Sequence, residues 1–242
     1  SAARSYWLVA SLCSDVHTVD DASCCFTSTR DRPQSELLSR QKAMEPNVQS
    51  RGCEVKDKVC VAVRIRPLSQ KEHREGSKSV IESAGSQLSL VREGSSPVRY
   101  AYDFVFTPET QQEEVYAELG RPLLYKAFEG FNCTIFAYGQ TGAGKTFTML
   151  NNKAPDDRGV VPRFSEELFA HILEEESRSP NKKFMVSCSF LEIYNEILHD
   201  LLIPGATRKK NDLGLEIKEQ KGIGVYVKDL KEIVVDSCAK LI

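Results

Sequence analysis

The 242-residue chain lacks a surplus of charge of either sign: 32 lysines and arginines stand against 34 aspartates and glutamates, a formal net charge of -2. A near-neutral chain carries no global basic field of the kind that gathers nucleic acid. No nucleic-acid partner is expected, and any polyanion must be met by a local patch. The chain also lacks a long apolar run. Tyr6-Trp7-Leu8-Val9-Ala10 is too short to cross a bilayer and only weakly resembles a signal-peptide core, so no membrane-spanning segment is expected. Among its 8 cysteines there is no C-x-x-C pair, and Cys24 and Cys25 are adjacent, which suits neither zinc spacing nor a simple disulfide framework. Cys60, Cys133 and Cys188 sit in apolar strand patterns and read as small core residues.

What is present suits a globular domain with a tail: 41% of residues are hydrophobic and 27% charged, enough for a substantial core. Residues 1–55 show no sustained period and scatter Ser, Thr, Asp and Arg among single apolar residues, which reads as a disordered or non-native extension. Residue 1 is Ser, so the chain is expected to be incomplete at its start, with Met44 as the natural first residue. The folded part is expected over 56–242.

The strongest signal is Gly139-Gln140-Thr141-Gly142-Ala143-Gly144-Lys145-Thr146, which fits G-x-x-x-x-G-K-[ST], the phosphate-binding P-loop. The preceding Thr134-Ile135-Phe136-Ala137-Tyr138 is β-branched, aromatic and apolar, and reads as a buried strand. The following Thr146-Phe147-Thr148-Met149-Leu150 can open a helix. In that context Gly139, Gly142 and Gly144 let the backbone wrap phosphate oxygens. Their amides and the helix start supply positive potential. Lys145 would reach the β- and γ-phosphates, and the Thr146 hydroxyl would ligate Mg²⁺. Gln140, Thr141 and Ala143 complete the cradle. A nucleotide site beside free thiols implies a reducing compartment, hence the cytoplasm.

In order, Val59, Val61, Val63 and Ile65 line one face of a strand with Cys60 and Ala62 on the other; small apolar residues on the second face predict cover on both sides. Proline stops it at Arg64-Ile65-Arg66-Pro67. Residues 69–79 read as a charged loop, 87–92 and 98–102 as a hairpin, and 103–106 as a short buried strand. Thr110 and Glu113 form a capping-box signature. Val115, Leu119, Leu123 and Ala127 then recur every four residues, predicting a helix that Gly120 and Pro122 kink or split and Gly130 ends. A helix over 160–176 turns Phe164, Leu168, Phe169, Ile172 and Leu173 inward and ends on a solvated Glu174-Glu175-Glu176. A long strand is expected over 183–194, a short helix over 195–202, a basic loop over 208–212, a hairpin from 215–218 and 225–227, and a last strand over 233–235.

Several segments together resemble the kinesin motor domain. Val61-Ala62-Val63-Arg64-Ile65-Arg66-Pro67 is similar to that family's first strand, which ends R-x-R-P. Tyr102-Asp103-Phe104-Val105-Phe106, with Gln111 and Val115-Tyr116, is similar to its F-D-x-V-F and Q-x-x-V-Y segments. The run from Gly130 through the P-loop to Met149 is close to the family's most diagnostic stretch, and Ser189-Phe190-Leu191-Glu192-Ile193-Tyr194-Asn195-Glu196 matches S-x-x-E-I-Y-N-E. The resemblance covers about residues 57–242.

It implies an α/β fold of the P-loop NTPase, kinesin-motor kind, a central sheet with helices on both faces, incomplete at the C-terminus. It further implies ATP and Mg²⁺ as cofactors, ATPase activity coupled to force, and microtubules of the cytoskeleton as partner. Arg64, Pro67 and Tyr138 would flank the adenine; a guanidinium and a proline ring offer flat surfaces to a base, and Arg64 ends a strand where α/β sheets bind ligands. Phe147 stands where many relatives have His. The lobe over 208–231, with Lys209, Lys210, Lys218, Lys221, Lys228 and Lys231, is similar to one that touches tubulin, whose surface is acidic.

The family's N-x-x-S-S-R-S-H and D-L-A-G-S-E segments do not occur in this sequence. Ser177-Arg178-Ser179 lacks the Asn and His, and Asp212-Leu213-Gly214 lacks the strand and spacing. No catalytic residue is therefore assigned, and this polypeptide alone is expected to hydrolyse little. An alternative is a truncated, non-motor nucleotide-binding fragment. A small-molecule kinase would need an arginine-rich lid, and residues 147–180 hold only Arg158, Arg163 and Arg178.

Overall fold

The computed structural model describes residues 59–203, 214–222 and 224–242. The extension 1–55, the start at Met44, the basic loop 208–212 and Lys209 and Lys210 lie outside the described residues. Strand β1 (Ala62–Arg64) pairs in parallel with β5 (Phe104–Phe106), Ala62 opposite Phe104. β6 (Val186–Cys188) pairs antiparallel with β11 (Ile233–Val235), Ile233 opposite Cys188. β2 (Ile81–Ala84), β3 (Gln87–Leu90) and β4 (Val98–Ala101) form a meander. β7 (Leu191–Tyr194) with β8 (Ile197–Asp200), and β9 (Ile217–Gln220) with β10 (Gly224–Val227), are hairpins.

Five helical pieces complete the described chain. The first, α1 (Gln70–Arg74), stands where a loop was expected. Its signal is Ser69-x-x-Glu72, and both reciprocal capping bonds form: Glu72 N–H donates to Ser69 Oγ at 3.2 Å, and Ser69 N–H to Glu72 Oε2 at 2.6 Å. The second, α2, runs through Gln112–Val115, a π turn Tyr116–Gly120 and Arg121–Phe128. The π turn absorbs the break expected at Gly120 and Pro122. The capping box expected at Thr110 does not form: Gln111 is the N-cap without a side-chain bond, and the Thr110 hydroxyl accepts from Thr107 N–H at 3.0 Å. Then come α3 (Lys145–Leu150), α4 (Val160–Arg178) and α5 (Cys238–Leu241). No helix among the described residues is long and apolar enough to cross a membrane.

The core lies where α2 and α4 cover one side of β1, β5, β6 and β11. Val115, Tyr116 and Leu124 of α2 and Val160, Phe164, Leu168 and Ile172 of α4 meet Phe106, Val186 and Val235 there. Arg121 on α2 pairs with Glu167 on α4 at 3.0 Å, and its guanidinium lies 5.4 Å from the centre of the Tyr116 ring. Along the strands alternate residues face this layer. Ala62, Phe104, Cys188 and Ile233 pack on it, while Val61, Met185 and Val234 are exposed. The first strand is therefore covered on one side rather than two, and Cys60 is exposed rather than core.

Two helical expectations change. Residues 197–200 are a strand, because Asn195 (φ 50°) and Glu196 (φ 65°) both take left-handed backbone. That is the two-residue turn whose twist suits a hairpin, and it folds the chain back on Leu191–Tyr194. The long strand expected over 183–194 is broken between β6 and β7. Leu173 is 66% exposed rather than inward. The acidic end of α4 is not merely solvated: Glu175 pairs with Lys182 at 2.8 Å, Glu176 with Lys183 at 3.3 Å, and Phe184 N–H donates to Glu176 at 3.1 Å. At the root of the β9–β10 hairpin, buried Asp200 accepts from Leu202 N–H and Lys231 N–H, each at 2.7 Å.

These positions separate core from surface within two helices. Leu124→Ala, at a side chain with 0% exposure, is expected to cost about 2–5 kcal/mol. Leu173→Ala is expected to stay within about 0.5 kcal/mol of the parent. Urea unfolding followed by far-ultraviolet circular dichroism measures both.

Candidate nucleotide-binding site

The segment feeding the glycine loop is not the ladder-bonded strand its apolar pattern suggests. Residues 131–138 belong to no strand among the described residues. Their alternation survives: Ile135 and Ala137 pack on the core, while Phe136 and Tyr138 are 68% and 80% exposed. Period-two apolarity reports that one face is covered. A ladder also needs a backbone neighbour about 4.8 Å away, which the pattern does not encode.

The loop itself is a turn. Gly142 (φ 84°) and Gly144 (φ 99°) take left-handed backbone, which a Cβ would strain. A Cβ built on either meets nothing within 4 Å, so conformation rather than crowding calls for glycine, and the space beside the loop is open. Ala143 N–H donates to Gln140 C=O at 3.1 Å, and Thr148 N–H to Gly144 C=O at 2.9 Å, closing the turn and starting α3. Lys145 Nζ donates to Gly139 C=O at 2.6 Å and to Gln140 C=O at 3.0 Å. Its ammonium is bound by the carbonyl oxygens of its own loop. Thr141 and Thr146 are exposed on the rim. Behind the loop, Met149 is buried, and Gly159 sits against it: a Cβ there would lie 2.7 Å from the Met149 carbonyl carbon.

The R-x-R-P segment splits its arginines. Arg66 makes a two-pronged pair with Glu72, at 2.8 and 2.6 Å. The guanidinium and the α1 amides hold the Glu72 carboxyl well below the usual carboxylate range. Arg64 turns toward α3: Nη1 donates to Gln112 Oε1 at 2.6 Å and Thr148 Oγ1 at 3.0 Å, and Nη2 to Thr110 C=O at 3.4 Å. Its guanidinium lies 5.2 Å from the centre of the Phe147 ring, and burial pushes its pKa below the ordinary arginine value. Arg64 is thus brought to the helix that follows the P-loop. Pro67 is exposed, its carbonyl accepting from Arg66 Nη1 at 3.0 Å.

Gln112 joins these parts and was missed in the sequence. Its side chain accepts from Arg64, and its Nε2 donates to Phe147 C=O at 2.7 Å and Asp157 C=O at 2.9 Å. The glutamine matched to the family pattern, Gln111, bonds instead to Glu109 C=O at 3.0 Å. A signal existed: Gln112 sits three residues before Val115 on the apolar stripe of its helix. In the 214–232 lobe, Lys218, Lys221, Lys228 and Lys231 are matched by Glu216, Glu219, Asp229 and Glu232, and Lys218 pairs with Glu216 at 2.6 Å. The described part of the lobe is therefore not basic.

Residues 64–242 match the family model described as the kinesin motor domain. Kinesin-like protein KIF1A of Rattus norvegicus is 36% identical over 190 residues, 74% of this chain and 11% of that protein. Kinesin-like protein KIF3C of Pongo abelii is 40% identical over 181 residues, 72% of this chain and 22% of that protein. Among solved structures, KIF14 with ADP in complex with a microtubule aligns with a TM-score of 0.70 at 34% identity, over 76% of this chain and 52% of that one. A fast kinesin aligns with a TM-score of 0.68 at 35% identity, over 76% of this chain and 50% of that one. The chain spans about half the length of these solved chains and no more than 22% of these two curated relatives. With 179 contiguous residues inside the family model and a P-loop NTPase fold shared with solved motors, the chain belongs to the kinesin motor domain family.

Proposed function

We propose that this chain binds ATP with Mg²⁺ through residues 139–146 and forms the nucleotide-gripping part of a microtubule motor domain. The observation that carries this reading is the loop: left-handed Gly142 and Gly144, open space beside them, and Lys145 held over its own carbonyls. These residues fit a triphosphate. The amides of 141–146 would cradle it. Lys145 would exchange carbonyl bonds for charge-assisted bonds to phosphate, and the Thr146 hydroxyl would hold the metal. Bound Mg²⁺ supplies neutralising charge to the phosphates. Arg64, with Phe147 against it, would take the adenine, and Pro67 and Tyr138 are assigned to the same base by family resemblance.

Phosphoryl transfer depends almost wholly on positioning and charge stabilisation. The 242 residues hold a positioning part and contain neither N-x-x-S-S-R-S-H nor D-L-A-G-S-E. We therefore infer nucleotide binding by this polypeptide without microtubule-stimulated turnover. Microtubules are the partner in the solved KIF14 complex. For this chain the corresponding contact is proposed at the β9–β10 lobe through Lys218, Lys221, Lys228 and Lys231, in the cytoplasm on the microtubule cytoskeleton. A second reading keeps the site and drops the motor role. The exposed Phe136, Tyr138 and Val234 favour it, because an uncovered apolar face promotes association of copies.

Titration with a fluorescent ATP analogue is expected to give saturable binding. Lys145→Ala should weaken it about a hundredfold, the worth of two charge-assisted bonds, and Thr146→Ala should remove most of its Mg²⁺ dependence. Unchanged affinity in Lys145→Ala overturns the reading.

Phosphate release by the purified polypeptide is expected to be the same with and without microtubules in a malachite-green assay. Robust stimulation refutes the assignment of positioning without turnover.

A further inference from the structure

We propose that Gln112 is a positioning residue for base recognition, fixing Arg64 so that one face of the guanidinium rests on Phe147 and the other is offered to the purine. The proposal rests on the nucleotide-binding reading above and adds to it the residue that sets base against phosphate affinity.

An arginine at a strand end has many rotamers, and a stacked base would have to freeze them. Here that ordering is already done. The edges of the Arg64 guanidinium are bonded to Gln112 Oε1, Thr148 Oγ1 and Thr110 C=O, and Phe147 lies against it. Edge bonds leave the second planar face for a base. Gln112 cannot swing away. It is 3% exposed, and its Nε2 is spent on Phe147 C=O and Asp157 C=O. A glutamine amide has two donor hydrogens, so both are committed, as is its oxygen.

The partners are far apart in sequence and close in space. Gln112 reaches 48 residues back to Arg64, 35 forward to Phe147 and 45 forward to Asp157. Phe147 and Thr148 directly follow Lys145 and Thr146 on α3. The proposed phosphate grip and the base platform therefore share one helix, and Gln112 sets the distance between them. A glutamine that merely held the core together would affect all ligands of the site alike. One that aims Arg64 affects only ligands with a base.

The test compares Mg-ATP with Mg-tripolyphosphate, which has the phosphates and no base, by calorimetric titration of the 242-residue protein. Gln112→Leu is expected to weaken ATP about tenfold and tripolyphosphate by less than about twofold. Thr148→Val should move ATP the same way by a smaller factor. Arg64→Ala and the double variant Arg64→Ala, Gln112→Leu should lose ATP affinity equally, since the two residues act as one unit. Equal losses for both ligands, or additive losses in the double variant, overturn the proposal. Should Gln112→Leu not fold, Gln112→Glu decides. It keeps the acceptor for Arg64, so preference for ATP over tripolyphosphate should stay within about twofold of the parent, and its loss overturns the proposal. A parent protein that binds neither ligand removes the nucleotide-binding reading and this one together. A parent that binds both, with the preference unmoved in Gln112→Leu, removes this one alone.

Discussion

The P-loop is held by side-chain packing on one side of the segment that feeds it. Ile135 and Ala137 lie on the layer formed by α2 and α4, and no described strand bonds to the backbone of 131–138. Beyond the loop, Met149 and the glycine contact at Gly159 seat α3 on the same layer. The two ends of the loop are thereby fixed to one body. Without that, Gly142 and Gly144 would leave the turn free to sample many shapes, because glycine gives up the most backbone freedom on folding. The tight seat of Gly159 and the buried helix behind it offset that cost.

A polar thread runs through this apolar anchorage. A buried amide costs more than it returns unless every donor and acceptor is met. Gln112 meets that condition only because three separate segments converge on it. The bond to Arg64 also tolerates no shift of α3 against β1, since both Nη1 partners, Gln112 and Thr148, must stay within reach. Packing sets the layer, and the polar bonds set the register of its parts.

The phosphate site was legible in the sequence because its constraint is local: glycine where backbone must turn left-handed, lysine and threonine at a fixed offset. Helices α2 and α4 were legible from the spacing of Val115, Leu119, Phe164 and Leu168. The failures share a different cause. Gln112 is defined by partners more than 30 residues away, which no local pattern carries. Asn195 and Glu196 make a left-handed pair without glycine, so the hairpin lacked its usual marker and Asn195–Leu202 passed for a helix. Leu173 fits the helical period, but the layer it would have met is absent on that side. The strand pattern of 134–138 reported a covered face and could not report a missing neighbour.

That missing neighbour bears on how the site is supported. Phe136, Tyr138, Val61 and Val234 stand exposed on the side away from the helices. Burying such side chains is worth about 1.5–3 kcal/mol each, so this side adds nothing to the stability of the loop while the other side adds all of it. Unpaired backbone along 131–138 increases the imbalance, because an open edge offers its amides and carbonyls to any extended chain. The solved relatives extend well past the part this chain covers, and their fold accommodates the same glycine loop. A loop whose shape comes from its own glycines and from the α2–α4 layer needs no help from the exposed side to keep that shape. It needs that side to keep the whole from associating through it.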